Sequence, residues 1–289
     1  MKRVNYYLHY FLLLVIIGSI ASCKKEKQDL SKETESSSSA QVIMPAAGNL
    51  SAPAGGLLSN TGYNTFYGPV VQMGNGHLRS WINITRDDNI PLAIGIEFTA
   101  ASLNNLPTDP LNFAANTFVL KLHQKAKDVT PYQHIMVNWE PNGHEPPGIY
   151  NVPHFDMHFY KISVADRLAI TGVPGVLPPA GYLPASYVIQ AATVPQMGTH
   201  WLDPSSPELP PTLAPFTYTF IYGSSNGKTI FNEPMITRAF MLGGLSVSTA
   251  FPQPLLFSPN NTNYPTVYKI WKSTENGRYY VALTDFIWR

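Results

Sequence analysis

Residues 216–233 read FTYTFIYGSSNGKTIFNE. Aromatic residues occupy every second position of residues 216–222, which is the period of a strand with one buried face. Residues 225–228 (SNGK) contain Asn-Gly, the pair that tight two-residue hairpin turns favour because it tolerates positive φ angles. Residues 229–233 then resume strand character. The stretch therefore predicts an antiparallel β-hairpin.

Strand-like segments of the same kind recur along the chain. They cover residues 77–85, 92–99, 117–123, 133–139, 187–190, 267–271 and 278–283, with a second Asn-Gly turn in residues 275–277. Only residues 163–170 and 234–243 favour short helices, and residues 171–186 form a Pro/Gly-rich excursion. Aromatic residues make up 12% of the chain, charged residues only 13%, and there are 26 prolines. We expect an all-β, mainly antiparallel single domain over residues 61–289, a sandwich or jelly-roll-like fold with long Pro/Gly-rich loops.

The first 60 residues predict export and lipid anchoring. Lys2 and Arg3 precede an apolar run at residues 10–20, which is too short for a comfortable membrane span. The run ends in residues 20–23 (IASC), which resemble the lipobox of bacterial lipoproteins. The resemblance implies cleavage before Cys23, the single cysteine of the chain, and attachment of lipid to it. The alternative is an ordinary signal peptide with an incidental cysteine.

This interpretation divides the N-terminal part in two. Residues 1–22 are expected to be a lipoprotein signal peptide, and residues 23–60 the lipidated cysteine followed by a flexible, Ser-rich tether. Several acyl chains would anchor the protein durably at a membrane. We therefore expect a cell-envelope location, with the bacterial outer membrane as the membrane partner.

The charge balance and the missing motifs exclude several classes of function. The chain has 19 basic against 18 acidic residues and no basic patch or charge run in its body, which argues against a nucleic-acid partner. It has no Gly-x-Ser-x-Gly nucleophile elbow and no phosphate-cradling loop, and its one cysteine is assigned to lipid.

Residues 153–160 (PHFDMHFY) carry the main chemical signal. On a strand, His154, Asp156 and His158 face one side, while the apolar residues between them face the other. Imidazole and carboxylate are ligands of zinc, iron and manganese, so the segment predicts a divalent transition-metal site. His200 and Glu233 are the further candidate ligands, with His144 as an additional one.

Strand geometry limits how these residues can share an ion. On a regular strand, His154 and His158 have Cα atoms roughly 13 Å apart, whereas residues two positions apart are separated by about half of that. We therefore expect two of the three to bind directly and the third to orient a ligating imidazole. A buried hydrogen-bond network and a metal-free acid/base site are the alternatives. His77, His123 and His134 are expected to be ordinary half-buried residues.

The chain resembles an uncharacterised domain family of bacterial exported proteins and lipoproteins, typified by a sigma-factor-regulated hypothetical protein of a thermophile. The resemblance rests on a PHFDxHFY motif within residues 152–160, and on residues 74–76, 91–95, 103–107, 143–148 and 196–201. It implies a mostly β fold and allows for a homo-oligomer, but it carries no assigned activity. The Pro/Gly-rich excursion after residue 170 departs from the pattern.

Three functions remain open from the sequence. The first is a lipid-anchored metal-binding envelope protein, a hydrolase or oxidoreductase acting through metal-bound water, with the substrate undecided. The second is a non-catalytic stress-response or ligand-binding lipoprotein, in which the histidines form a structural hydrogen-bond network. The third is a carbohydrate-associated surface lipoprotein that uses exposed tryptophans.

Overall fold

A computed structural model describes residues 62–190 and 193–289. The predicted signal peptide, Cys23 and the tether lie outside the described residues. No helix within the described ranges is long and apolar enough to cross a membrane. The strands in these ranges are β1 (Tyr63–Tyr67), β2 (Val71–Met73), β3 (Gly76–Thr85), β4 (Pro91–Phe98), β5 (Thr117–Lys121), β6 (His134–Glu140), β7 (His154–Tyr160), β8 (Val188–Ile189), β9 (Thr199–Leu202), β10 (Tyr218–Ser225), β11 (Lys228–Thr237), β12 (Val247–Ala250), β13 (Asn263–Lys272) and β14 (Tyr279–Trp288).

The helices of the described ranges are short and lie at the ends of strands. They are a 3-10 helix (Ala100–Leu103), α1 (Phe113–Asn116), α2 (Gln124–Val129), α3 (Val164–Leu168) and α4 (Arg238–Gly243). Side-chain caps explain where the four α-helices begin: Asn112, His123, Ser163 and Thr237 each accept a hydrogen bond from a backbone N–H of the first turn. None of these helices could form without the sheets, because isolated helices of this length are unstable in water.

The strands form two seven-stranded antiparallel sheets. The first sheet has the order β1-β3-β4-β14-β13-β12, with β2 also paired to β3, and the second has the order β5-β6-β7-β11-β10-β9-β8. The Asn-Gly hairpin of residues 216–233 is present as β10 and β11, with Ser225 paired to Lys228. The prediction of an all-β sandwich is thus confirmed.

The main hydrophobic core lies between the two sheets. Ile82 and Ile94 of the first sheet share it with Phe155, Met157 and Phe159 of the second. Burial of each such side chain contributes about 1.5–3 kcal/mol to the free energy of unfolding. Since neighbouring residues of a strand point to opposite faces, the polar residues of β7 lie on the outer face of the second sheet.

Loops cover that outer face. Tyr150 and Leu209, from the connections before β7 and before β10, pack with Ile221 and Met235 of the sheet. The candidate site residues of β7 are therefore enclosed between the second sheet and its covering loops rather than exposed to solvent.

The outer face of the first sheet has a polar and aromatic cluster of its own. Glu97 is only 3% exposed and accepts hydrogen bonds from Arg79 Nε at 3.0 Å, from Tyr280 Oη at 3.2 Å and from Arg278. Trp271 stacks on Tyr280 with ring centroids 5.0 Å apart. This cluster holds β3, β4 and β14 together on the side away from the core.

The structure differs from the sequence interpretation at several elements. Residues 234–243 are not one short helix, because β11 continues to Thr237 before α4 begins. Residues 199–202, which were not among the predicted strand segments, form strand β9 and carry His200, and β11 continues past Glu233 to Thr237. The predicted helix at residues 163–170 is present as α3.

Candidate metal centre

Strands β7, β11 and β9 of the second sheet carry five of the six candidate residues, and the loop between β6 and β7 carries His144. β6 and β11 flank β7, with Asn138 and Met235 both paired to Asp156. Asn232 pairs with Phe159, so Glu233 lies level with His158 and diagonal to Asp156. Diagonal neighbours across a strand pair are within reach of longer side chains. The face therefore places two carboxylates close together, with an imidazole on either side of Asp156 along β7.

The first group consists of His144, His154 and Asp156. His144 Nε2 lies 3.3 Å from one carboxylate oxygen of Asp156, and His154 Nε2 lies 3.1 Å from the other. His154 is fully buried, and His144 is the most exposed member of the group. One ligand atom from each residue lies within 4.8 Å of the others, a spacing that could hold a metal ion.

Backbone carbonyls determine the tautomers of both imidazoles. His154 Nδ1 donates to the Val152 carbonyl, and His144 Nδ1 donates to the Glu145 carbonyl, each at 2.6 Å. A carbonyl oxygen can only accept, so the proton of each neutral ring is on Nδ1 and the lone pair is on Nε2. Both lone pairs then face Asp156. Metal-binding histidines characteristically donate their other nitrogen to a carbonyl in this way.

Gly143 is required for the position of the loop that carries His144. It has φ = +71°, and an added Cβ would lie 2.0 Å from the Tyr150 carbonyl oxygen. The His144 backbone N–H donates to that same carbonyl at 3.2 Å. The Tyr150 ring also packs edge-on against His144, with ring centroids 5.9 Å apart. These contacts hold the loop, and with it the imidazole, over β7.

The second group consists of His158, His200 and Glu233. His158 Nε2 lies 3.4 Å from one oxygen of Glu233, and His200 Nε2 lies 3.7 Å from the other. His158 and Glu233 are buried, and one ligand atom from each of the three residues again lies within 4.8 Å of the others. The second group could therefore also hold an ion.

Gly223 on β10 has no side chain, and this leaves room for an aromatic ring in the second group. Gly223 pairs with His200, and a Cβ at Gly223 would lie 2.0 Å from the ring of Phe231. That ring packs against both His158 and His200, with centroids 4.8 and 5.3 Å away. The glycine thus leaves room for the Phe231 ring, which forms an apolar contact with both imidazoles.

Several buried polar atoms of the two groups make no hydrogen bond. They are His154 Nε2, Asp156 Oδ1, both ring nitrogens of His158, and Glu233 Oε2. His154 Nε2 and Asp156 Oδ1 are only 3.1 Å apart, so they are close without having hydrogen-bond geometry. Leaving a buried polar atom unpaired costs about 1–3 kcal/mol, and each such atom needs an explanation. Donor atoms on one tetrahedral zinc ion, at about 2.0–2.1 Å from it, lie roughly 3.3 Å apart, close to the 3.1–3.7 Å between each imidazole nitrogen and the carboxylate oxygen that it faces.

The two groups differ in their electrostatics. Burial opposes ionisation of Asp156, but the imidazoles of His154 and His144 outweigh it and hold its pKa well below the usual value. Burial works in the opposite direction on His144, yet Asp156 raises the pKa of this imidazole to about 9. In the second group, burial lowers the pKa of His158 to about 3 and that of His200 to about 4. The first group favours an internal ion pair, while the second favours neutral imidazoles.

The carboxyl of Glu233 favours its neutral form when no cation is bound. Burial raises the pKa of its carboxyl well above the usual value, and the charges of Asp156 and Glu140 raise it further. A cation between Glu233 and the two imidazoles would favour the carboxylate instead.

Glu140 belongs to the site although the sequence interpretation did not include it. It pairs with His154 across β6 and β7, and burial together with Asp156 raises the pKa of its carboxyl to about 7. The period of two along β6 places it on the same face as Asn138, but no sequence signal pairs it with His154.

The predicted residues are brought together, but not in the predicted arrangement. His154 and Asp156 share a group, whereas His158 does not orient either of them and belongs to the other group, with His200 and Glu233. His144 lies in the first group. Each group offers three nitrogen or oxygen ligands, the number that leaves a coordination position free in catalytic zinc sites.

A surface cleft of about 410 Å³ lies apart from these ligands. Trp139, Arg238 and Asn142 are among its lining residues, and none of the six candidate ligands lines it.

Comparison of the chain with protein-family models, with curated proteins and with solved structures found no significant match. The resemblance to the family of exported proteins therefore stays a prediction based on the motif.

Proposed function

We propose that this protein is a lipid-anchored metal-binding protein of the cell envelope, with one transition-metal ion in each of the two groups. The observation that carries the proposal is the set of buried imidazole nitrogens and carboxylate oxygens that face one another at 3.1–3.7 Å, most of them without hydrogen bonds. Shared ions would satisfy these atoms, since each would become a ligand.

The donor set supports particular metals. Each group combines two imidazoles with one carboxylate and has no thiolate, a mixture suited to zinc, iron or manganese. A bound ion would supply a Lewis acid and an activated water. The chain's own contribution is to fix the imidazole tautomers through the Val152 and Glu145 carbonyls, and to hold Glu140 beside His154.

The envelope location is proposed from the sequence. The basic start, the short apolar run and the IASC sequence, which ends in the single cysteine of the chain, all support lipid attachment at Cys23. A Ser-rich tether after Cys23 would hold the β domain away from the membrane surface. Radiolabelled palmitate should be incorporated by the wild type and not by Cys23→Ala.

A structural hydrogen-bond network is the second candidate, and one observation favours it for the first group. Asp156 has a lowered pKa and His144 a raised pKa, so the two side chains can balance their charges without a metal. In that case His144→Ala would lower the melting temperature by the same amount in chelator and in added metal.

Elemental mass spectrometry on the full chain tests the proposal. The protein is purified in detergent without a polyhistidine tag or a chelator, beside His158→Ala, His144→Ala and the control His77→Ala, a histidine outside both groups. We expect about two equivalents of metal in the wild type and in the control, and about one in each of the other variants. Folded wild-type protein that stays metal-free after reconstitution would refute the proposal.

A further inference from the structure

Arg167 on α3 is a buried cation without a carboxylate partner in the part of the chain that the structure describes. Its side chain is 3% exposed. Its Nη1 donates to the Met136 sulfur at 3.2 Å and to the Gln196 side-chain oxygen at 3.0 Å, both uncharged acceptors. Its Nε is buried and has no hydrogen-bond partner. Arginine does not lose its charge in proteins, and buried arginines are almost always paired.

The acid next to it in the chain does not neutralise this charge. Asp166 is exposed, and it accepts a hydrogen bond from Ser163 Oγ at 2.7 Å as part of the cap of α3. Burying a charge without a counter-charge is costly, so a bound anion would stabilise the buried arginine.

His134 is a second buried polar group on the same side of the sheet. It is 2% exposed; the Ile162 backbone interacts with the ring, but neither ring nitrogen has a partner with full hydrogen-bond geometry. It lies two residues before Met136 on β6, so both side chains share the outer face that Arg167 covers. The charge of Arg167 acts on the His134 ring and, after burial, contributes to lowering its pKa to about 4.

These unpaired donors adjoin the second group. The Tyr160 ring stacks with His134 at 4.8 Å and with His158 at 5.6 Å between ring centroids, and the Arg167 guanidinium carbon lies 5.9 Å from the same ring. Gln196, which binds Arg167, also accepts a hydrogen bond from Tyr160 through its backbone carbonyl, and it lies four residues before His200.

We propose that Arg167 and His134 form a binding site for a small oxyanion beside the second group. The guanidinium Nε–H and a His134 N–H supply the donors, and the guanidinium charge supplies the attraction that a carboxylate of the protein would otherwise provide. The anionic group of a ligand, a phosphate or a carboxylate, therefore binds next to His158. The oxyanion site is inferred from the unpaired arginine alone. Only its relation to a bound metal rests on the proposed function.

Isothermal titration calorimetry on the full chain in detergent tests the site with inorganic phosphate and, separately, with acetate. The wild type is compared with Arg167→Met, His134→Phe and the control Arg238→Met, whose native guanidinium donates to the Leu103 carbonyl elsewhere in the fold. We expect phosphate or acetate to bind the wild type and the control alike, and Arg167→Met to bind about tenfold more weakly or not at all. A smaller loss is expected for His134→Phe.

Repeating the titration after chelation separates this site from the metal centre. Binding that survives in chelator and disappears in Arg167→Met supports the oxyanion site even if no metal is ever found. Phosphate that binds Arg167→Met as tightly as wild type, but only when metal is present, would assign the anion to the metal and overturn the proposal. Absence of binding of either anion to folded wild type would also overturn it. If Arg167→Met does not fold, Arg167→Lys provides the comparison. Lysine retains the positive charge but not the guanidinium geometry, so we expect this variant to bind phosphate more weakly than the wild type.

Discussion

Replacing Glu233 by glutamine distinguishes a metal site from a hydrogen-bond network in the second group. Burial, with help from Asp156 and Glu140, raises the pKa of this carboxyl well above its usual value, so the neutral acid is the expected form without a cation. Glutamine is neutral and has nearly the same shape. In metal-free protein, Glu233→Gln should therefore change the free energy of unfolding by no more than about 1 kcal/mol.

A bound metal makes the same substitution costly, because a ligand is lost. An ion present at 100 times its dissociation constant stabilises the folded state by about 2.7 kcal/mol. Since 1 kcal/mol changes the melting temperature by about 2–4 °C in a domain of this size, each bound ion should raise the wild-type value by roughly 5–11 °C. Glu233→Gln should lose most of the contribution of the second-group ion and keep that of the ion in the first group.

Thermal melts followed by circular dichroism, in chelator and in added zinc, iron or manganese, measure both effects. Glu208→Gln is the matched control, because Glu208 is a buried acid that accepts a hydrogen bond from Tyr150 and belongs to neither group. Its effect should be the same with and without metal. If metal raises the melting temperature of Glu233→Gln as much as that of the wild type, Glu233 is not a ligand and the reasoning fails.

Three further predictions concern packing, pH and charge. Gly223→Ala should destabilise the fold by about 1–3 kcal/mol and reduce metal content, because the new methyl would displace the Phe231 ring; an unchanged denaturation midpoint would contradict this. Burial lowers the pKa of His158 to about 3, so the unfolded state binds more protons below about pH 6.5 and stability is lost as the pH falls from there towards 3. In chelator, His158→Phe should flatten that loss by up to about 1.4 kcal/mol per pH unit in denaturant titrations, and equal slopes would argue against a neutral buried imidazole. Glu97→Gln should cost about 1–3 kcal/mol because the charge that binds Arg79 is lost, with no change in metal content; a loss within experimental error would show that the outer cluster is not stabilising.

The fold could be predicted from the sequence because its signals are local. The alternation in residues 216–222 and the Asn-Gly turns specify strands and hairpins through backbone geometry alone, and they correspond to β10, β11, β13 and β14. β9 was missed because its four residues, next to a glycine, are too few to show an alternation of apolar and polar side chains. β11 was read too short, because Pro234 in mid-strand resembles a strand end.

The candidate site could be predicted only in part, for a different reason. The shared face of His154, Asp156 and His158 follows from a period of two. Their division into two groups depends on His144 and His200, whose positions are determined by a loop and by strand β9, three places from β7 in the sheet. Glu140 was missed because its pairing with His154 depends on register across a 13-residue connection, which a pattern within either strand does not specify.

Strand β7 uses its seven residues for two purposes, and this makes it unusually intolerant of small insertions and deletions. Phe155, Met157 and Phe159 pack in the core between the two sheets, while His154, Asp156 and His158 alternate with them and belong to the candidate site. Loss of one residue within the strand would exchange the two sets, turning ionisable groups into the core and aromatic rings towards the ligands. Insertions and deletions should therefore occur in the surrounding loops rather than within β7. The spacing of this motif is thus a better marker for recognising distant relatives than the identity of any single residue in it.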